Sequence, residues 1–328
     1  MRLALGRKTF SEGEGFMAPL SHLRLIQFRA GYNLPVHAAI EYGIFAKYGL
    51  EIEVAYTPGS DYLIEALRSG KFEIGHPAAD DVVAAVESEE NKHGRDIDLF
   101  LFMGLHSGLL SLISAPEYPD VGSFWGKLLG VDSRRTGFVF LLEKFLRSNG
   151  FGPQDYSLVE IGGWEFRYQA LLEKKIAATL LTSPFVADAL SCGCHLLSRG
   201  DEILPVYQAT CGAARRAWAR DRKEVLVRYI RAYIAVLRWC FDPDNRRTCL
   251  NLLKKHNRLD ENGAANTLAT LLEPNRGIYP DAALNIPGLA AVLALRAEMG
   301  HLKPPLPPVD KYIDLSYYRR AVGVTNAS

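Results

Sequence analysis

The charged residues most suited to ligand chemistry are arginines in turns that follow short apolar runs. Arg134 and Arg135 follow the run 128–131, with Thr136 beside them, and Arg167 follows a Gly-Gly-Trp turn. Guanidinium groups near a helix N-terminus can hold a carboxylate, sulfonate or phosphate through paired hydrogen bonds. These turns therefore indicate a site for a small anion. Solvated arginines, or a surface ion pair at Arg167, are the simpler alternative.

Two histidines, His76 and His106, each follow an apolar run that is typical of a strand. An imidazole in such a place could act as an acid, a base or a hydrogen-bond donor, because it titrates near neutrality. A hydrogen-bonded structural histidine is the alternative. Asp80 and Asp81 are predicted to be charges in the first turn of a helix, where the helix dipole favours carboxylates, rather than a paired-carboxylate active site.

Three further side chains could form the wall of a ligand site. Tyr32 and Asn33 lie between the first predicted strand and helix, where they could contact a small polar or aromatic ligand, unless Asn33 only caps the helix. Trp164 could stack on a ligand, because an indole on a loop is costly without an apolar partner; packing between lobes is the alternative. The full set of predicted ligand contacts is Tyr32, Asn33, Ser60, His76, His106, Arg134, Thr136, Trp164, Arg167 and Ser183.

These residues are positioned by an alternation of short strands and helices. Apolar runs at 23–28 and 51–56 are typical of strands, and the segment 34–48 between them carries apolar residues at helical spacing. Ser60 is expected to cap the next helix. A second alternation runs through 128–185. Strands that alternate with helices form parallel sheets, and ligands bind at the carboxyl edge of such sheets.

Two segments of this alternation carry a family resemblance. They read Tyr-Gly-Ile-Phe-Ala-Lys-Tyr-Gly-Leu-Glu-Ile-Glu at 42–53 and Ala-Leu-Arg-Ser-Gly-Lys-Phe-Glu-Ile-Gly at 66–75. They resemble the opening of the nitrate/sulfonate/taurine-type solute-binding proteins of ABC importers, whose superfamily also contains the thiamine-pyrimidine synthases and aromatic sulfinate desulfinases. The resemblance extends across 130–185 and, more weakly, through the C-terminal helices. It implies a type II periplasmic-binding-protein fold of two α/β lobes, each a mixed, mostly parallel sheet flanked by helices.

The same resemblance implies that the chain crosses between the lobes twice. Residues 22–109 and 207–328 are expected to form a discontinuous lobe 1, and residues 110–206 to form lobe 2, with Gly108 as a hinge element. Residues 1–21 are expected to be a disordered extension. Arg167 resembles the arginine that follows a glycine-bearing turn in many members of the family.

The enzymes of this superfamily place reactive groups where this chain has other residues. Leu34 stands at the position that resembles that of the desulfinase cysteine. Where the pyrimidine synthases have a histidine this chain has Asp81, and where they have a cysteine-rich run it has only Cys211. The reactive side chains of both enzyme classes are therefore absent from these positions. The resemblance therefore favours a binding protein over an enzyme, and His76 and His106 would be the first catalytic candidates if the chain were an enzyme.

Composition narrows the function further. Lys and Arg total 38 against 37 Asp and Glu, and this balance predicts no binding to nucleic acid or to an anionic membrane. No apolar run approaches the ~20 residues of a membrane span. The five cysteines are odd in number and form no C-x-x-C pair, so free thiols are expected, with a metal at Cys192, Cys194 and His195 as the less favoured alternative. With no nucleotide or cofactor motif, we expect neither cofactor nor metal.

The sequence therefore predicts a monomeric protein that closes by hinge motion on a small organic ligand, anionic or aromatic, and that works with an ABC permease. Its first residues lack the apolar core of a secretory signal, so we expect a cytoplasmic protein, or a periplasmic one if the given sequence is mature or has a misassigned start. Met17, just before the first strand, is a candidate for the true start, which would make the residues before it a disordered extension. The alternative is an intracellular enzyme, desulfinase-, decarboxylase- or pyrimidine-synthase-like, acting on an aromatic or heterocyclic acid. A cytosolic ligand sensor with a protein partner is a third possibility.

Overall fold

The protein is known from a computed structural model that describes residues 20–88, 98–135 and 137–324. Within these ranges the chain forms two five-stranded sheets, each flanked by helices. The predicted two-lobe architecture of mixed sheets is therefore confirmed. Two sequence expectations fall outside the described residues: nearly all of the extension 1–21, and Thr136 as a ligand contact.

The first sheet has the strand order β2-β1-β3-β10-β4. Strands β1, β2 and β3 run parallel, and β10 is antiparallel to both β3 and β4. The strands of this sheet are β1 (Ser21–Gln27), β2 (Leu50–Tyr56), β3 (Ile74–His76), β4 (Leu99–His106) and β10 (Thr210–Arg215). Every residue of β4 is buried, as expected for a strand that reads as one continuous apolar run.

The second sheet has the strand order β7-β6-β8-β5-β9. Strands β6, β7 and β8 are parallel, whereas β5 is antiparallel to both β8 and β9. The strands of this sheet are β5 (Ser111–Ser114), β6 (Leu128–Val131), β7 (Ser157–Glu160), β8 (Ala178–Leu181) and β9 (His195–Arg199). The chain thus passes from the first sheet to the second after β4 and returns between β9 and β10.

The helices that cover the sheets fall into an N-terminal and a C-terminal group. Up to β10 they are α1 (Leu34–Glu41), α2 (Ile44–Lys47), α3 (Ser60–Arg68), α4 (Ala79–Val86), α5 (Val139–Ser148), α6 (Trp164–Leu172), α7 (Phe185–Ser191) and α8 (Gly200–Ile203). After β10 they are α9 (Arg216–Asp221), α10 (Lys223–Phe241), α11 (Arg246–Asn257), α12 (Glu261–Leu271), α13 (Ile286–Glu298) and α14 (Ser316–Val322). No helix in the described ranges is both long and apolar enough to cross a membrane.

Two local predictions are wrong. The expected continuous helix over 34–48 is broken into α1 and α2, because Gly43 takes a left-handed φ of 65° that favours glycine. Ser60 does not cap α3. The N-cap is Gly59 in an extended conformation, and Ser60 is the first helical residue. The N-cap residue of α3 therefore makes no side-chain hydrogen bond to the helix.

The C-terminal helices return to the first sheet, where α10 packs against α1 and α13 packs against α4. A buried ion pair joins the second of these contacts: Arg296 Nη1 on α13 lies 2.9 Å from Asp80 Oδ2 on α4. The Asp80 carboxylate also accepts a hydrogen bond from the Gly137 N–H of the second lobe. Burial raises the pKa of the Asp80 carboxyl, and the Arg296 guanidinium and the Gly137 N–H oppose that rise.

We predict that Arg296→Met lowers the free energy of unfolding by about 3–5 kcal/mol, because the change leaves the buried Asp80 carboxylate without its guanidinium. Urea denaturation at neutral pH measures the loss. Arg247→Met is the matched control, since Arg247 pairs with Glu261 on the surface, with the two side chains 71% and 49% exposed, and its loss should be much smaller. Equal losses in the two variants would contradict a structural role for the Asp80–Arg296 pair.

Candidate functional site

The carboxyl ends of the parallel strands of both sheets meet in a closed cleft. The Gly31 N–H after β1 donates to Ser183 O after β8 (3.0 Å), and the Gly163 N–H after β7 donates to Pro58 O after β2 (2.9 Å). A cavity of about 20 Å³ lies beside Arg167, Asp132 and Ser60, and a second cavity of about 200 Å³ is lined by residues that include Ser107, Ser183 and Arg276. The first cavity is the one that contains a buried guanidinium. Its volume holds about one water molecule, so an organic ligand enters it only when the cleft opens.

Arg167 is the cation in the wall of this cavity. It lies near the start of α6, is only 2% exposed, and donates from Nε to Gly162 O (2.9 Å) and from Nη1 to Leu180 O (3.0 Å). No carboxylate within the described ranges forms an ion pair with it, and its Nη2 has no hydrogen bond there. Burial lowers its pKa to about 10, so it stays charged at neutral pH. The surface ion pair considered from the sequence is therefore wrong.

Asp132 lies across the cavity and was not among the predicted contacts. Its Oδ2 accepts hydrogen bonds from the Ser60 N–H (3.2 Å) and from the Ser60 hydroxyl, so a residue of the second lobe caps the N-terminus of α3. Its Oδ1 is buried and finds no donor in the described part of the chain. The sequence marked the turn after β6 as polar but gave no sign that Asp132 would reach Ser60.

Aromatic side chains pack beside these charged groups. The Trp164 ring stacks on Phe138 with centroids 5.5 Å apart, and its Nε1–H donates to the Tyr32 hydroxyl (3.2 Å). The Arg167 guanidinium lies 4.4 Å from the Trp164 ring centroid. Trp164 is 2% exposed in this closed cleft, so the structure shows the packing between lobes that was the alternative to ligand stacking. Tyr32 is buried in the same cluster.

The two predicted histidines are buried and do not titrate near neutrality. Burial lowers the pKa of both His76 and His106 to about 3. His76 is held in the first lobe between Gln27 Oε1 (3.1 Å) and the Tyr229 hydroxyl (2.9 Å), which matches the structural alternative. His106 accepts the Gly108 N–H at Nδ1 (3.1 Å), and its ring centroid lies 4.5 Å from that of Tyr32. The His106 ring therefore packs against Tyr32.

The remaining predicted contacts do not line the cavity beside Arg167. Asn33 occupies the N-cap position of α1 without capping it, because its Nδ2 donates to Phe28 O (2.6 Å). Ser183 contributes its backbone carbonyl to the contact with Gly31. Arg134 is exposed outside the cavity, where its N–H donates to a Glu160 carboxylate oxygen (2.8 Å), so the prediction that it faces the cleft is wrong. The Arg135 carbonyl accepts a hydrogen bond from Arg296 (3.4 Å).

The arrangement supplies recognition groups rather than an evident nucleophile. Burial raises the pKa of the Cys211 thiol well above its usual value, so the sulfur is protonated at neutral pH. In the described part of the chain no three His, Cys, Asp or Glu side chains lie close enough to hold a metal ion. The Arg167 guanidinium, the Asp132 carboxylate and the neighbouring aromatic rings can together bind a small polar organic molecule.

The chain is similar to one protein family and to a bacterial transporter protein. A family model described as the NMT1-like family matches residues 18–254. A Brachyspira hyodysenteriae (strain ATCC 49526 / WA1) protein, named as a candidate ABC transporter periplasmic binding protein, is 25% identical over 222 residues. That alignment covers 62% of this chain and spans 60% of the length of the relative.

Solved structures share the architecture at low sequence identity. The periplasmic nitrate-binding protein NrtA from Synechocystis PCC 6803 is 12% identical with a TM-score of 0.77, covering 94% of this chain and 90% of its own. The alkanesulfonate-binding protein SsuA from Xanthomonas axonopodis pv. citri, bound to MOPS, is 16% identical with a TM-score of 0.72, covering 90% of this chain and 99% of its own. The type II periplasmic-binding-protein fold expected from the sequence is thereby confirmed.

We predict that the buried histidines make the protein less stable in mild acid. The pKa of His106 is about 3 in the folded state and about 6.5 in the unfolded state, so as the pH falls below about 6.5 the unfolded chain binds the proton first. Each such histidine should cost about 2 kcal/mol between about pH 7 and pH 5. Urea denaturation at both pH values should show that His106→Asn removes about that much of the pH-dependent loss.

His22→Asn is the control for this measurement, because the His22 side chain is 51% exposed in the folded protein. It should leave the pH dependence unchanged. If His106→Asn loses as much stability between the two pH values as the unmodified protein, His106 is not held neutral by the fold.

Proposed function

Because this chain belongs to the NMT1-like family, we propose that it binds a small organic ligand, anionic or aromatic, between its lobes as the solute-binding component of an ABC importer. The observation that carries the proposal is the buried Arg167 guanidinium in the cleft, which bonds only to backbone carbonyls within the described residues. A buried charge is costly unless an opposite charge compensates it. Asp132 and Glu165 raise the pKa of Arg167 through charge interactions but form no ion pair with it, so a bound anionic group would supply the direct partner that they do not.

The relatives support the same reading. NrtA is named as a nitrate-binding protein, SsuA as an alkanesulfonate-binding protein, and the Brachyspira relative carries the name of an ABC transporter component. All three names describe uptake or binding of small solutes rather than catalysis. On this basis we propose an ABC permease as the partner of the chain. That the chain is a monomer remains a prediction from the sequence.

Binding requires the cleft to open and close. In this proposal residues 22–109 with 207–328 move as one lobe and residues 110–206 as the other, with the hinge at the two crossings. Gly108 has a φ of 131°, a left-handed conformation that glycine tolerates, and it lies in the crossing between β4 and β5. Opening must break the two backbone contacts of the cleft and the Asp132–Ser60 contact, after which a ligand can reach Arg167.

We predict that one or more small organic acids, sulfonates or pyrimidines raises the melting temperature of the protein. A ligand that binds only the folded state stabilises it by about 2.7 kcal/mol at one hundred times its Kd. A thermal-shift screen measures this, and mass spectrometry of the recovered ligand tests the enzyme alternative. The binder proposal expects the ligand to return intact, and protein-dependent loss of carbon dioxide or sulfite would overturn it.

We predict further that Arg167→Gln weakens binding of an anionic hit by about 1.5–3 kcal/mol, the usual worth of a charge-assisted hydrogen bond. Isothermal titration calorimetry gives the affinities. Arg134→Gln is the matched control, since Arg134 is exposed outside the cavity and should bind as the unmodified protein does. Equal affinities of the Arg167 and Arg134 variants, both folded by circular dichroism, would remove Arg167 from the site.

A further inference from the structure

Two buried cysteines of the C-terminal helices lie side by side. Cys240 is near the end of α10 and Cys249 is in the first turn of α11, and the two residues are 2% and 0% exposed. Their side chains are hydrogen-bonded to each other. The Cys249 thiol also donates to the Cys240 carbonyl oxygen, 3.9 Å from the sulfur. The helix pair therefore brings together two thiols that both remain free in this structure.

The two thiols differ in their acidity. The hydrogen bond from Cys240 lowers the pKa of the Cys249 thiol, and the positive charge of Arg246 lowers it further, against the effect of burial. The same hydrogen bond, together with burial, raises the pKa of Cys240. The dipole of α11 also favours a thiolate in its first turn. Cys249 is therefore the sulfur that becomes a nucleophile more readily, and Cys240 is placed to react with it second.

A small oxidant has a short path to this pair. The connection between α10 and α11 lies at the surface, where residues 242–244 and 246–247 are exposed. Helix ends open locally at a lower free energy than helix centres do. A molecule close to water in size can therefore reach the two sulfur atoms during such openings.

The other three cysteines lack this arrangement. Cys211 lies in β10, where its thiol donates to Ala209 O (3.8 Å) and burial raises its pKa well above the usual value. Cys192 is exposed after α7, and burial raises the pKa of Cys194. Within the described residues, a hydrogen bond between two thiols is found for Cys240 and Cys249 alone.

We propose that Cys240 and Cys249 are a redox-active dithiol, which a peroxide converts into a disulfide between α10 and α11. This inference does not depend on the proposed solute-binding function. The pair is then a disulfide in an oxidising compartment and a dithiol in a reducing one.

The reaction takes place in two steps. The Cys249 thiolate attacks one oxygen of hydrogen peroxide, so an S–O bond forms, the O–O bond breaks, and the departing hydroxide takes up a proton to become water. The Cys240 sulfur then attacks the sulfenic acid of Cys249. The S–S bond forms, the S–O bond breaks, and the hydroxyl group leaves as water with the Cys240 proton. The two cysteines together lose two electrons, and the peroxide gains them.

Peptide mapping of the full chain tests this proposal. The reduced protein is treated with graded hydrogen peroxide, its remaining thiols are alkylated after denaturation, and it is digested with trypsin without a reductant. Trypsin cleaves after Arg246 and Arg247, so Cys240 and Cys249 fall in separate peptides that only a disulfide joins. We expect mass spectrometry to find the joined peptides and dithiothreitol to separate them. Oxidation of the exposed Cys192 in the same sample shows that the peroxide treatment was sufficient.

Serine variants assign the roles of the two sulfur atoms. Cys240→Ser keeps a hydrogen-bond donor beside Cys249, so dimedone, a trap for sulfenic acids that is added with the denaturant, should label Cys249. In Cys249→Ser, Cys240 should stay unlabelled. Cys211→Ser is the matched control, because Cys211 is also buried but has no hydrogen bond to another thiol in the described part of the chain. It should form the disulfide as fully as the unmodified protein.

Three results would overturn the proposal. The first is that no joined peptides form in samples in which Cys192 is oxidised. The second is a disulfide between Cys192 and Cys194 while Cys240 and Cys249 are both recovered alkylated. The third is dimedone labelling of Cys240 but not of Cys249, which would reverse the assigned order of the two steps. If a serine variant does not fold, peptide mapping of the unmodified protein still decides whether the disulfide forms.

Discussion

The buried ion pair between Asp80 and Arg296 is the constraint on which the arrangement of the lobes depends. It joins α4, directly after β3, to α13 near the end of the chain, and the two residues are separated by 216 positions in the sequence. The same carboxylate accepts the Gly137 N–H from the second lobe. One buried acid thus holds the two sequence segments of the first sheet together and meets the lobe across the cleft, so its charge must be fully compensated within the protein.

This compensation distinguishes Asp80 from the charges a few residues away in the cleft. Asp80 has both a guanidinium and a backbone donor, whereas Arg167 has only carbonyl partners and Asp132 has one oxygen without a donor in the described part of the chain. Most buried polar atoms in proteins have a hydrogen-bond partner, and a buried polar atom without one does not stabilise the fold. A cleft that binds a ligand from solution must leave some polar groups available to it, and Arg167 and Asp132 are the candidates for that role.

The sequence predicted the fold better than the site. The alternation of strands and helices was sufficient to predict the two mixed sheets, because side-chain periodicity is local. It did not predict the helix break at Gly43, because the backbone conformation of that glycine causes the break. At the site, Arg167 was predicted because it follows a glycine turn, and it lies in the cavity wall. Asp132 and Arg296 were not, since their partners Ser60 and Asp80 lie 72 and 216 residues away. Burial of His76 and His106 shifted their chemistry in a way that residue type alone does not reveal.

The closed state itself bears on how a ligand would bind. The cavity beside Arg167 is only about 20 Å³, so an organic ligand cannot reach that guanidinium in the conformation described here. Only the fraction of molecules that is open can bind, so the apparent Kd equals the intrinsic Kd divided by that fraction. The contacts that close the cleft include two backbone hydrogen bonds, the Trp164–Tyr32 hydrogen bond, the Asp132 contact to Ser60 and the Gly137 contact to Asp80. Each is worth about 0.5–1.5 kcal/mol net. Opening therefore costs free energy, and a ligand that binds Asp132 and Arg167 can recover part of that cost through its own contacts.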